Sequence, residues 1–368
     1  MPSESPAAML QRPPARLLLP ALGVVTLLVG GILSTPSSAT DGERELLLRE
    51  RRLGIMGTEL QIETLGPDGT LLDRAIDEAI AELRRVEDLM TDWRPSPLTR
   101  LNDAAGKGPQ EAPEELLDLI ARSVEVWKLT EGAFDITFAA VGRLWDFMAN
   151  PPRIPDPEEI REGIRRLGSD RIRIDREAGT IELPEGVQIG LGGIAKGYGV
   201  DRAMAVLRRH GIEHALVNAG GDLKVLGRKQ GRLWKIAIRH PRDEERVLAL
   251  LPVSNTSVVT SGDYERFFVK DGERFHHIID PRTGYPSEGC MSATVVAPDA
   301  AIADALATAF CVLPREKGME LAEKLPRVEA LLVGMDGSLQ ATTGLMGAVE
   351  EAEEEAPPSP GHEPPYKG

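Results

Sequence analysis

The chain has 368 residues, 42% of them hydrophobic and 27% charged, with a formal net charge of -15 at neutral pH. That length and apolar content can bury a full-sized core, which excludes a fibre or a tail. The acidic balance speaks against nucleic acid as the main partner, because a phosphate backbone attracts a basic footprint.

In chain order, Arg12 and Arg16 precede an apolar run, "LLLPALGVVTLLVGGIL", after which Ser37 and Ala39 stand at signal-peptidase spacing. Residues 1–39 therefore read as an export signal, and the protein as periplasmic or otherwise extracytoplasmic. An uncleaved inner-membrane anchor is the alternative, although Pro20, Gly30 and Gly31 suit a permanent span poorly. Membrane contact is expected through this segment alone. No cysteine lies near the cleavage region, so lipid attachment there is excluded. The two cysteines, Cys290 and Cys311, read as buried apolar thiols, though an exported protein could pair them.

Two strands are predicted to meet across residues 54–57, followed by an amphipathic helix over 71–90 with Ile76, Ile80, Leu83 and Val86 at helical spacing. A second helix spans 114–129, opened by Pro113. A proline-punctuated connection leads to a short helix and then to the hairpin "RIRIDREAGTIELP". A helix over 194–210 follows, then strand–glycine turn–strand in "HALVNAGGDLKVLG" and strands at 234–239, 247–253, 264–269 and 275–279. A strand at 293–297, a helix over 300–313 and a last hairpin in "VEALLVGMDGSLQAT" complete the pattern. Hairpins mixed with long helices define an α+β fold, a single large domain over 40–345 of antiparallel sheets with packed helices. The tail, 346–368, carries Glu350, Glu351 and Glu353 to Glu355 among prolines and is expected to be disordered.

Four stretches have compositions that point to chemistry. In "AIADALATAF", Asp304 and Thr308 are four apart on one helix face while the other positions are almost wholly apolar. Such a pair is either a solvated stripe or, if buried, a site needing a partner such as Mg²⁺, which takes oxygen ligands. "IGLGGIAKGYGVD" runs from strand through Gly192 and Gly193 into a helix with Lys196 in its first turn. It suits a phosphate, or simply starts a helix. "TEGAFDIT" offers Ala133, Phe134 and Asp135 either as a wall for an aromatic ligand or as a helix-ending cap. "HHIIDPRTGYP" places His276, His277, Asp280 and Arg282 together, and "NAGGDL" reads as a hairpin turn.

Taken together, "MGTELQIE", "TEGAFDIT", "LGGIAKGYGVD", "VNAGGDL", "TSGDY", "HHIIDPRTGYP" and "ADALATAF" resemble, in this order and spacing, the ApbE family of FAD:protein FMN transferases. The resemblance covers residues 53–334. It implies an exported α+β protein that binds FAD and Mg²⁺ and moves FMN from FAD onto a threonine or serine hydroxyl of an acceptor protein, releasing AMP. The acceptors it suggests are membrane electron-transfer subunits. By the same resemblance, Asp304 and Thr308 are Mg²⁺ ligands with carbonyls near Gly193 and Ala307. Met56, Trp93, Ala133, Phe134, Asp135 and Lys196 hold FAD. His277 is the expected catalytic base, since an unperturbed imidazole suits that task, while His276 is structural or exposed and Arg282 anchors the turn or faces phosphate. Two positions depart from the family pattern: Gly190 stands where an aspartate is usual, and Trp93 where a tyrosine is common. If the missing carboxylate contacts the nucleotide, Gly190→Asp should tighten FAD binding. An FAD pyrophosphatase giving FMN and AMP, and a flavin-binding protein without catalysis, are the competing expectations.

Overall fold

The computed structural model describes residues 46–147, 149, 152–347, 350 and 351. The expected export segment lies outside them, as does the tail beyond residue 351. The first hairpin, Leu47–Ile55 with Thr58–Gly66, turns on Met56 (φ 51°) and Gly57 (φ 71°). Two successive positive φ values match the right-handed twist of the strands, and they put a methionine in a conformation that glycine or asparagine usually takes.

That hairpin opens an eight-stranded sheet, continued by His214–Ala219, Asp222–Leu226, Thr256–Gly262, Ser292–Ala297, Glu329–Val333 and Leu339–Ala341. All neighbouring pairs are antiparallel. Alternation decides which residue faces which layer. Leu60 and Ile62 point to the helices Gly69–Met90 and Ala195–Arg209, whereas Leu65 and Leu216 point to the opposite face. On that face the hairpin Trp234–His240 with Asp243–Val253 closes a second apolar layer through Trp234, Ile236, Ile238 and Leu251. The expected α+β architecture of antiparallel sheets and packed helices is therefore the one observed.

The helix Ala300–Val312 lies over Thr256–Gly262 and Ser292–Ala297, and every residue of it except Thr308 is buried. Phe310, fully buried, packs among Leu332, Met319 and their neighbours. Truncating such a side chain to alanine costs about 3–5 kcal/mol.

Several expected boundaries move. The strand Thr256–Gly262 sits at the centre of the sheet, yet its sequence, "TSVVTSG", reads as a loop and was not expected as a strand. The strands expected at 264–269 and 275–279 are instead the two-stranded ribbon Phe267–Lys270 with Glu273–His276. At the other end, Glu350 and Glu351 pair with Leu250 and Ala249.

Candidate active site

The site forms where the helix Ala195–Arg209 meets the helix Ala300–Val312. A Cβ on Gly197 would lie 2.2 Å from the Ala300 carbonyl oxygen, so only glycine allows so close an approach. The approach brings the Gly197 N–H to Asp304, whose Oδ2 accepts it at 3.2 Å. Asp304 is buried on the apolar helix, which removes the solvated-stripe reading. The helix N-terminus gives it one donor.

Lys196 reaches from the same first turn to the sheet, where its Nζ donates to Asp222 Oδ2 at 2.6 Å. Asp222 pairs across the ladder with Val259, a residue of the helix-side core, so its carboxylate faces the helices. Its second oxygen, Oδ1, is buried with no hydrogen-bond partner among the described residues. Burial, and then the adjoining Asp304 carboxylate, push the Asp222 carboxyl well above the usual range, while Lys196 works against them. Burial also opposes the Lys196 charge, yet Asp222 and Asp304 outweigh it and hold the ammonium above its ordinary value. Two carboxylates thus face one ammonium.

One turn beyond Asp304, Thr308 Oγ1 lies 3.4 Å from Ser261 Oγ. A Cβ on Gly193 would lie 3.2 Å from Thr308 Oγ1 and 3.2 Å from Phe134 Cε2. Gly193 therefore lies close against a hydroxyl and an aromatic edge, where a side chain would be crowded. A surplus of buried carboxylate and an orphaned buried oxygen, close to the Thr308 hydroxyl, fit a hard cation.

His277 enters from the loop after the ribbon, its backbone N–H donating to the Arg266 carbonyl at 3.0 Å. Burial first, then the Arg266 and His276 charges, push its imidazole down to about 4, with Lys196 adding to the effect. It is therefore neutral at neutral pH. Its Nδ1 has no hydrogen-bond partner among the described residues. His276 is buried and pairs through Nε2 with the Ser287 carbonyl at 3.0 Å, the structural role rather than the exposed one. Arg282 binds Asp280 through Nε at 2.8 Å and Nη2 at 2.7 Å, and Nη2 also donates to the Val312 carbonyl. Of its two expected roles, it takes the anchoring one.

The remaining expected ligand residues are placed unevenly. Met56 borders the site: a Cβ on Gly199, one turn after Lys196, would lie 3.2 Å from its sulfur. Its backbone N–H donates to Glu87. Ala133 and Phe134 are buried. Asp135 accepts from Thr137 N, Thr137 Oγ1 and Ser169 Oγ with one oxygen and from Trp127 Nε1 with the other. Its carboxylate caps the turn that follows and ties it to Trp127 and Ser169, in keeping with the capping reading. Trp93 stands apart from the packed cluster, 64% exposed.

Asp222 and Arg266 were not expected. Arg266 Nη2 lies 3.6 Å from where a Cβ on Gly57 would stand, beside Met56, and its charge acts on His277. For Asp222 a signal existed: Asp222 and Lys224 alternate onto one face of an otherwise apolar strand, where two charges require buried partners. The thiols of Cys290 and Cys311 are buried and unbonded, as expected, with sulfurs 3.8 Å apart.

An acid-rich, lysine-bearing seam with a neutral histidine, mounted on an antiparallel sheet, defines an α+β protein equipped for phosphate chemistry. The chain belongs to the ApbE family, whose profile matches residues 56–332. It is 34% identical over 293 residues to an FAD:protein FMN transferase of Treponema pallidum, covering 75% of this chain and 81% of that one. Its fold is similar to the crystal structure of the ApbE protein of Thermotoga maritima, with TM-score 0.74 and 33% identity over 83% of this chain and 100% of that one. It is likewise similar to the flavin transferase ApbE of Vibrio cholerae, with TM-score 0.72 and 30% identity over 82% and 99%.

Proposed function

We propose that this chain transfers the FMN half of FAD to a threonine or serine hydroxyl of an acceptor protein and releases AMP. The observation that carries this reading is the buried cluster of Lys196, Asp222 and Asp304, one turn from Thr308 and with the Lys196 charge felt by His277. The family membership and the names of its relatives support it.

In this reaction the acceptor oxygen bonds to the FMN phosphorus, the bond from that phosphorus to the AMP oxygen breaks, and AMP leaves with the electron pair. The hydroxyl proton passes to the His277 imidazole, whose depressed basicity keeps it unprotonated and ready. Lys196 presents a fixed positive charge to the phosphates. Phe134 packs against Gly193, and Met56, from the first hairpin, packs against Gly199. Trp93, exposed, offers a ring face for the flavin or adenine. Asp304, Thr308 and the backbone near Gly193 and Ala307 would hold Mg²⁺, which when bound neutralises charge on the pyrophosphate.

We further propose that residues 1–39 export the protein and that the acceptor is a membrane electron-transfer subunit. A mature N-terminus at Thr40, found by mass measurement, supports cleavage; an intact Met1 refutes it. The activity is tested by incubating the protein with FAD, Mg²⁺ and a candidate acceptor. Yellow fluorescence that stays with the acceptor through denaturation is the expected result. Free FMN and AMP alone would instead mean hydrolysis, and intact FAD would mean binding without catalysis.

A further inference from the structure

We propose that Asp222 is a positioning residue that governs both the cation and Lys196. It adds a second carboxylate to the pocket of Asp304 and Thr308, accepting from water on the bound ion through Oδ1, and holds the lysine through Oδ2. The inference rests on the cation reading above and deepens it.

Lys196 occupies one Asp222 oxygen, and no hydrogen-bond partner among the described residues meets the other. The Gly220–Gly221 turn beside it is already closed by Asn218, whose Oδ1 accepts from the Gly221 N–H at 3.0 Å. Two residues along the same strand and on the same face, Lys224 pairs with Asp201 and donates to the Pro298 carbonyl at 2.7 Å. There Asp201 uses its other oxygen to accept from Ala301 N at 3.1 Å, so that half-buried acid is satisfied on both sides. Asp222 is more deeply buried, at 1% exposure, yet one oxygen is left unpartnered next to a second carboxylate. An orphaned buried carboxylate oxygen is costly unless something positive or donating occupies the space before it. A hydrated divalent cation supplies both. Mg²⁺ keeps several of its waters, and carboxylates outside the ligand set orient them. The same side chain fixes where the Lys196 ammonium stands, which couples cation binding to the charge that meets the substrate phosphates.

The test uses the full-length protein without FAD and Mn²⁺ as the probe, with free Mn²⁺ read by electron paramagnetic resonance. Asp222→Asn keeps the shape and loses the charge. It should weaken Mn²⁺ binding by roughly 10- to 100-fold, the usual consequence of losing an outer partner of a metal site, while its melting temperature in EDTA stays near that of the parent. Asp222→Glu should recover part of the affinity, and Asp222→Ser stands in for the asparagine variant if that one does not fold. In turnover assays the loss should appear in the Mg²⁺ concentration needed for half-maximal rate. Unchanged Mn²⁺ affinity in Asp222→Asn or Asp222→Ser overturns the proposal, and a lowered melting temperature with that affinity unchanged identifies a structural acid instead. A parent protein that binds no Mn²⁺ removes the cation reading itself, and this inference with it.

Discussion

Asp135 and Asp222 are both buried aspartates, and their surroundings could hardly differ more. The first is saturated: four donors from Thr137, Ser169 and Trp127 take both its oxygens. The second has one lysine and one empty side, and it abuts Asp304. A saturated buried carboxylate is a fastening, since nothing further can bind without displacing a donor. An unsaturated one keeps an unmet electrostatic demand that a ligand can meet. The family resemblance offers Asp135 as a ligand residue, while Asp222, in the strand after the Gly220–Gly221 turn, is the acid that the structure leaves unsaturated.

The largest test of that contrast is on the ligand side. Asp304→Asn keeps shape and an oxygen and should lower FMN transfer by about 10³-fold, the loss expected when charge stabilisation in the transition state is removed. The melting temperature should stay near that of the parent. Near-normal rates in this variant without added Mg²⁺ would break the assignment. His277→Gln follows, with an expected fall of about 10²- to 10³-fold in kcat. Its parent pH profile sharpens the point: a base must be neutral, and burial has pushed this imidazole down to about 4. The acid limb of kcat/KM should then lie well below the ordinary histidine value of about 6.5. Stability moves in the same direction. The unfolded chain takes up this proton near its ordinary value and the folded chain only near 4, so the contribution to stability falls as pH drops between the two.

On the fastening side, Asp135→Ala should act through the fold. Stranding four buried donors is expected to cost about 3 kcal/mol, visible as a lower urea midpoint, whereas the rate per folded molecule should change little. A normal urea midpoint with weakened FAD binding would reverse the comparison. The smallest effect concerns Gly190. A Cβ there would lie 3.2 Å from Ala139 Cβ, 3.3 Å from Phe138 and 3.5 Å from Asp92 Oδ2. The added carboxylate would be crowded and would face a like charge, so Gly190→Asp should leave FAD binding no tighter and cost about 1 kcal/mol of stability. This replaces the expectation, drawn from the resemblance, that the substitution would tighten binding; calorimetric titration with FAD checks it.

The sequence alone determined the elements whose periodicity is strong and local. The helices Gly69–Met90, Glu114–Leu129, Ala195–Arg209 and Ala300–Val312 follow from apolar spacing, and the terminal hairpins from alternation. It also determined that Asp304 and Thr308 share a face, because a helix fixes that by its own geometry. Only the tertiary structure decided that "TSVVTSG" is the central strand, since small polar residues become strand when neighbours on both sides complete their backbone hydrogen bonds. Only it brought Asp222 from the sheet to Lys196 and Asp304 on two helices. Whether a buried acid is saturated depends on donors distant in the chain, 34 residues for Ser169 and Asp135 and 26 for Lys196 and Asp222. Spacing along a sequence carries no record of where such donors stand.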